Sequence, residues 1–274
     1  MLLLGIRMNK KISIVTGYYN RKDLFYETLL SITRSEYKDF ELIAVDDGSS
    51  PEQRLEDLVE EFPFLKIIRL EKEDKWYLNS CIPLNIGMKQ AKGDIIVLQN
   101  PECLHVHDVL AYLSENINDS NYISISAYGI GRRATKLLSE YCKGYMVDFF
   151  KSFPQQPYVG WESVGWYNHS IYRPVGYHFC SAMSRNNMAK LNGFDERFAL
   201  GVAYDDDELI VRIRRLGLTM KIEDKLSVIH QYHESVWELP NINELHEMNK
   251  KLLLSVIENE TGYRANTTDL WSGN

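Results

Sequence analysis

From Lys11 onward, short apolar runs alternate with segments whose apolar residues recur at helical spacing. A strand that feeds a helix and then another strand builds a parallel sheet, because parallel neighbours need a long return connection. Ile12 to Thr16 reads as the first strand, ended by Gly17, and Leu24, Leu29, Leu30 and Ile32 form the face of a helix. Glu41 to Val45 is a second strand, closed by Asp46-Asp47-Gly48-Ser49-Ser50-Pro51, a turn whose proline also starts a helix. Lys66 to Leu70 and Asp94 to Leu98 are strands three and four, with a helix over Ile82 to Ala91 between them. Ile95-Ile96-Val97-Leu98 is apolar on both faces, as a central parallel strand must be.

The second half is less regular. Tyr145 to Arg173 carries Phe149, Phe150, Phe153, Tyr158, Trp161, Trp166, Tyr167 and Tyr172 among prolines and a glycine, a pattern of a binding loop or lid more than of a connection. A strand over Phe179 to Met183, helices over Asn187 to Leu191 and Asp205 to Arg215, a strand over Leu226 to His230 and an amphipathic helix over Asn241 to Ile257 follow. No repeat or linker interrupts the chain. The expected fold is one α/β domain, a mostly parallel, Rossmann-like sheet flanked by helices, over residues 11–239. It follows a tail of residues 1–10 and precedes a helical extension over residues 240–274.

Charge narrows the partners. A net charge of −7 without a Lys/Arg stripe excludes a binder of nucleic-acid backbones. Cys81, Cys103, Cys142 and Cys180 form no C-x-x-C pair, which fits buried free thiols in a reducing compartment. No apolar run is long enough to span a bilayer, so the chain reads as cytoplasmic, with peripheral attachment to a membrane left open.

Ligands of open parallel sheets sit beyond the carboxyl ends of the strands. Those positions are polar here: Thr16-Gly17-Tyr18-Tyr19-Asn20-Arg21, Asp46-Asp47-Gly48-Ser49 and Gln99-Asn100-Pro101-Glu102. Carboxylates there can bind a base, a ribose or a divalent cation, although Asp46-Asp47-Gly48 is equally a capped turn. Asp205-Asp206-Asp207-Glu208 complements a helix dipole, yet like charges so crowded call for a cation or a proton. His230 and His233 end a strand, and Glu102 with His105 and His107 makes a rival metal cluster inside an expected helix start.

In this order and spacing the motifs resemble the family 2 glycosyltransferases of GT-A fold, over roughly Lys11 to His233. The matching elements are Ile14-Val15-Thr16-Gly17-Tyr18-Tyr19-Asn20-Arg21, Val45-Asp46-Asp47-Gly48-Ser49-Ser50, Asn85-x-Gly87 and Gly93-Asp94. Farther on come Gly193-Phe194-Asp195-Glu196 and Asp205-Asp206-x-Glu208-Leu209-x-x-Arg212. Asn100-Pro101-Glu102 stands where relatives carry Asp-x-Asp.

The resemblance implies a nucleotide-binding half over residues 11–102 and an acceptor and catalytic half over residues 103–239. Thr16, Gly17, Tyr18, Asn20, Arg21, Asp46, Asp47, Asn85 and Asn100 would contact the nucleotide. Glu102 with His230 or His233 would hold Mn²⁺ or Mg²⁺. Asp206 would be the general base, beside Asp205. The donor is a nucleotide sugar, UDP before GDP and dTDP, and the acceptor a glycan-type hydroxyl. The rings from Trp161 to Tyr172 either stack that acceptor or pack as core, with Trp166, Tyr167, His169 and Arg173 the contacts to examine. A nucleotidylyltransferase would show a glycine-rich, basic loop after strand one, which Gly17-Tyr18-Tyr19-Asn20 is not. A binding module without turnover is the second alternative, motivated by Asn100.

Overall fold

A computed structural model describes residues 10–141, 151–160, 163–234 and 240–272. The N-terminal half is built of β1 (Ile12–Tyr18), α1 (Lys22–Thr33), β2 (Phe40–Asp47), β3 (Leu65–Leu70), α2 (Cys81–Gln90) and β4 (Ile95–Gln99). The order β3-β2-β1-β4 is parallel throughout. Every residue of β4 is buried. Ile95 and Val97 pack on the layer holding Phe25, Leu29 and Ile32 of α1, whereas Ile96 and Leu98 pack on the layer holding Leu84 and Met88 of α2. The two-residue period of a strand thus serves two helical layers at once.

Beyond β4 the sheet becomes mixed. β5 (Cys103–His105), α3 (Val109–Asn116), β6 (Asn121–Gly129), α4 (Arg132–Tyr141) and β7 (Gly165–Asn168) come first. They are followed by β8 (Cys180–Ser184), α5 (Arg185–Leu191), α6 (Asp205–Arg215), β9 (Thr219–His230) and α7 (Ile242–Asn259). β8 lies antiparallel between β4 and β6, β9 runs parallel to β6, and β5 and β7 are antiparallel additions on β9 and β6. β9 therefore delivers His230 beside Cys103, the residue after Glu102.

Several expectations need correction. Gly17 does not end β1, which continues to Tyr18 in extended backbone. The turn after Asp47 yields only a 3₁₀ turn over Pro51–Gln53, not a helix. The segment after Glu102 is strand β5 rather than a helix start, because pairing with β9 outweighs local preference in so short a piece. The expectations for the N-terminal tail up to Asn9 and for Cys142, Phe149, Phe150 and Trp161 fall outside the described residues. Cys81, Cys103 and Cys180 are buried free thiols. Among the described residues no helix is long and apolar enough to cross a membrane.

The C-terminal segment packs onto α6 and α5. Asn249 is buried and donates to Phe198 O at 3.1 Å and Ala203 O at 2.9 Å. Asn192, left-handed at φ 60°, donates from Nδ2 to the carbonyls of Ala265 and Thr268, both at 2.9 Å, and accepts from Leu270 N at 2.9 Å. Asn tolerates that backbone region and spends its whole amide on the fastening. Asn192→Ala should therefore cost about 3 kcal/mol, summing lost hydrogen bonds and left-handed strain. Urea unfolding measures this, and Asn192→Gly, which keeps only the backbone tolerance, should fall between the two.

Candidate functional site

The exits of β1 and β2 interlock. Asn20, at φ 47°, donates its backbone N–H to Ser49 Oγ at 3.0 Å, and its Oδ1 accepts from Ser50 N at 3.0 Å. Asp46 is fully buried, with Oδ1 accepting from Ser49 N at 2.9 Å and Oδ2 bonded to Arg69 Nη1 at 2.8 Å. Asp47 accepts from Lys75 Nζ and Tyr77 O–H. Gly48 sits at φ 81°, and a Cβ there would lie 3.0 Å from the Lys72 Cα, so only glycine lets the loop after β3 approach this closely. These turns border a cleft of about 380 Å³ lined by Tyr19, Asn20, Gly48, Ser49, Arg54 and Arg69.

Two residues expected at a nucleotide are used elsewhere. Tyr18 is fully buried; its O–H donates to Gln53 O at 2.6 Å, and its oxygen accepts from Arg21 N at 3.3 Å. Its ring offers no surface to a ligand and instead sets the position of Arg21. Asn85 is buried too, its Oδ1 accepting from Phe194 N at 2.8 Å and its Nδ2 donating to Phe194 O at 3.0 Å. It clamps α2 to the Gly193-Phe194 turn. Thr16 is buried, and its Oγ1 has no hydrogen-bond partner among the described residues.

Glu102, 1% exposed, is the centre of the opposite rim. Its Oε2 bonds Arg21 Nη1 at 2.9 Å, and its Oε1 lies 3.1 Å from His230 Nε2 and 3.4 Å from His233 Nε2. Burial pushes the Glu102 pKa up, but the Arg21 guanidinium, His233 and His230 more than reverse this and hold it well below the usual carboxylate range. Burial lowers His230, against the pull of Glu102. The three ligand atoms lie within 4.8 Å of one another. One carboxylate and two imidazoles suit a borderline ion such as Mn²⁺ better than Mg²⁺, which favours an all-oxygen shell. The rings of Tyr167, 4.7 Å away, and Phe179, 5.8 Å away, wall His230. His233 also lines a cleft of about 560 Å³ with Asn20, Arg21, Lys22, Arg132 and Tyr232.

The rival cluster is not assembled. His105 Nε2 meets Gln99 Oε1 at 2.9 Å, and burial lowers its pKa to about 4; His107 Nδ1 accepts from Ser227 N at 3.1 Å.

At the start of α6 the four acids go to four different partners. Asp205 accepts from Asn79 Nδ2 at 2.9 Å, Asp206 contacts His178 Nδ1, Asp207 accepts from Tyr177 O–H, and Glu208 takes both Nε and Nη2 of Arg212 at 2.6 and 2.7 Å. Ala203 and Tyr204, at φ 61° and 67°, turn the chain into this helix through two strained residues. Burial and then the Asp206 carboxylate push Asp205 up to about 6. For His178, burial lowers the pKa, yet Asp206 outweighs it and the net shift is upward. Asn100 N donates to Phe179 O at 3.1 Å, which joins the β4 exit to the segment carrying His178.

Of the expected acceptor residues, Trp166 is 3% exposed and packs edge-on against Tyr128, with its indole N–H on Gln155 Oε1 at 3.2 Å, so it follows the packing alternative. Tyr167 is half-buried against His230; His169 lies 3.7 Å from Asp224, and Arg173 donates to Tyr167 O. Asn79, His178, Arg69, Lys75 and Tyr77 were not singled out by sequence. Arg69 lies within β3, and the others stand as polar residues beside aromatic ones in the loops before α2 and β8, not directly after a strand.

The sequence model described as Glycosyl transferase family 2 matches residues 13–185. The chain is 28% identical over 215 residues to an amylovoran biosynthesis glycosyltransferase of Erwinia amylovora, covering 75% of this chain and 64% of that one. It is 24% identical over 268 residues to an uncharacterized glycosyltransferase, YfnE, of Bacillus subtilis, covering 82% of this chain and 66% of that one. The chain thus spans under two thirds of the length of these relatives. Among solved structures it resembles GalNAc-T7 with UDP, GalNAc and Mn²⁺ at a TM-score of 0.62 and 15% identity, covering 93% of this chain and 49% of that one. S. aureus TarS with UDP-GlcNAc gives 0.61 and 16%, covering 91% and 67%. The mannosyltransferase PcManGT of Pyrobaculum calidifontis with GDP-Man and Mn²⁺ gives 0.53 and 16%, covering 81% and 56%. At such identities the likeness shows the fold, which is that of GT-A glycosyltransferases.

The raised Asp205 makes a stability prediction. A carboxyl whose folded pKa lies above its ordinary 3.8 favours folding when protonated, so that contribution is present below about pH 4 and lost as pH rises through about 6. Asp205→Asn should stabilise the fold at pH 8 by up to about 3 kcal/mol, read as a higher thermal midpoint, and the gain should vanish near pH 4. Differential scanning calorimetry across that range reads both ends.

Proposed function

Since the chain belongs to glycosyl transferase family 2, we propose that it is a metal-dependent, inverting glycosyltransferase. It moves a hexosyl or N-acetylhexosaminyl group from a UDP-sugar to a hydroxyl of a glycan or related acceptor. The observation that carries this is the buried Glu102 carboxylate, shared by Arg21 from the β1 exit and by His230 and His233 after β9. UDP is favoured over GDP because two of the structural relatives named above hold UDP or UDP-GlcNAc, against one with GDP-Man.

Glu102, His230 and His233 would hold the cation. When bound, it supplies Lewis-acid stabilisation of the diphosphate that leaves. The cleft beside Gly48, Ser49 and Arg69 would take the nucleoside, with Asp46 and Asp47, bonded to Arg69 and Lys75, holding the turn that borders it. Arg21 and Lys22 line the adjoining cleft and offer positive charge to phosphate oxygens.

Across the rim, Asp206 is the general base. Its side chain is about one-third exposed, open to an acceptor hydroxyl, and His178 lies against Oδ1 and orients the carboxylate. The acceptor hydroxyl gives its proton to Asp206 as its oxygen bonds the anomeric carbon. The bond from that carbon to the diphosphate oxygen breaks, and the nucleoside diphosphate leaves with the electron pair. Attack opposite the leaving group inverts the centre, so an α-linked donor gives a β-linked product.

Incubation with UDP-, GDP-, dTDP- and CMP-sugars tests this. One UDP-sugar should be hydrolysed slowly; EDTA should stop the release of UDP and Mn²⁺ restore it better than Mg²⁺. Glu102→Ala and Asp206→Asn should each lower the rate about 10²-fold or more. Turnover of no donor would leave only a binding module, and pyrophosphate formed from a nucleoside triphosphate and a sugar phosphate would mean a nucleotidylyltransferase.

A further inference from the structure

The loop between β3 and α2 carries an exposed tryptophan on a rigid strap. From Lys75 to Asn79 the side chains alternate: Lys75, Tyr77 and Asn79 turn inward, and Trp76 and Leu78 turn outward at 60% and 49% exposure. The inward set is fastened at both sides of the site. Lys75 and Tyr77 bond Asp47 at the β2 exit, whereas Asn79 bonds Asp205 at the acidic helix. The backbone is fixed as well, since the amides of Leu78 and Asn79 both donate to Ala199 O, at 2.8 and 3.0 Å. The next residue, Leu200, is 53% exposed.

Held out to solvent together with Leu78, the indole forms apolar surface of the kind that marks a binding site. Tyr77 meets Trp76 edge to face, with planes at 86° and centroids 5.6 Å apart.

We propose that Trp76 is the stacking surface for a pyranose ring of the acceptor, with Leu78 and Leu200 as its apolar shoulder. The proposal rests on the transferase reading above. Trp76 stands three positions before Asn79, so their Cα atoms lie within about 11 Å. The strap that carries the indole is thus the one bonded to Asp205, next to the proposed base. A pyranose has an apolar C–H face that matches an aromatic plane and a rim of hydroxyls that stays hydrated or meets nearby carboxylates. Glu71, Lys72, Glu73 and Asp74 are exposed beside the strap, and this net negative rim suits a neutral, hydroxyl-rich ligand and opposes an anionic lipid surface. Trp76, not the buried Trp166, is thus the ring that reads the acceptor.

The full chain tests this with p-nitrophenyl hexopyranosides and their disaccharide counterparts as surrogate acceptors. Trp76→Ala should leave UDP-sugar hydrolysis and the donor KM within twofold of wild type, raise the acceptor KM about tenfold or more, and Trp76→Phe should recover part of the loss. Tryptophan fluorescence provides a readout independent of turnover: unlabelled methyl glycosides and disaccharides should shift the emission of wild type and not of Trp76→Ala. A rise in donor KM alone, unchanged kinetics in both variants, or loss of self-association or vesicle binding in Trp76→Ala without an acceptor effect would overturn the proposal. Wild-type protein that hydrolyses no donor overturns the transferase reading instead, and the fluorescence titration then decides the sugar site by itself.

Discussion

A carboxylate taken out of water must be surrounded by positive charge or give up its own, and Glu102 is the place where this chain meets that demand. Its partners come from distant parts of the sequence: Arg21 follows β1, and His230 and His233 close β9. The parallel half of the sheet and the mixed half are therefore tied across one side chain. The topology makes that possible, because β9 must run beside β6 and receive β5 for His230 to stand next to Cys103. Tyr18 contributes from below, its buried O–H meeting the Arg21 amide.

The same logic organises the other rim. Four adjacent acids at the head of α6 would repel one another, and each is instead given its own neighbour: Asn79, His178, Tyr177 and Arg212. Glu208 takes a buried bidentate guanidinium, yet burial still holds its pKa above the ordinary value, and Asp205, with the Asn79 amide and His178 against burial and Asp206, is raised to about 6.

The parallel half was legible because β1, β2 and β4 carry short, mainly apolar runs bounded by turn residues, a pattern with few other solutions. Glu102, His230 and His233 stood out singly as polar residues at strand ends, but their union in one cluster was reachable only through motif position, since nothing local joins residues so far apart. β6 escaped because its serines break the apolar pattern; in the fold Ser124 donates to Tyr177 O at 2.8 Å and Ser126 to Asp224, so both are buried at little cost. Asn85 and Tyr18 were misplaced for a related reason: an asparagine that clamps a turn and one that binds a ribose look alike until the partner is known. Trp76 stood unnoticed among charged residues, because only the tertiary fastening of Lys75, Tyr77 and Asn79 reveals which way it faces.

The cation site is the claim on which the mechanism rests, and anomalous diffraction from crystals grown with Mn²⁺ and UDP addresses it most directly. A manganese peak at about 2.2 Å from a Glu102 oxygen and an imidazole nitrogen of His230 or His233, with the diphosphate beside it, is the result this account predicts. UDP seated at the β1 and β2 exits with no manganese at Glu102, or manganese bound by other residues, would contradict it.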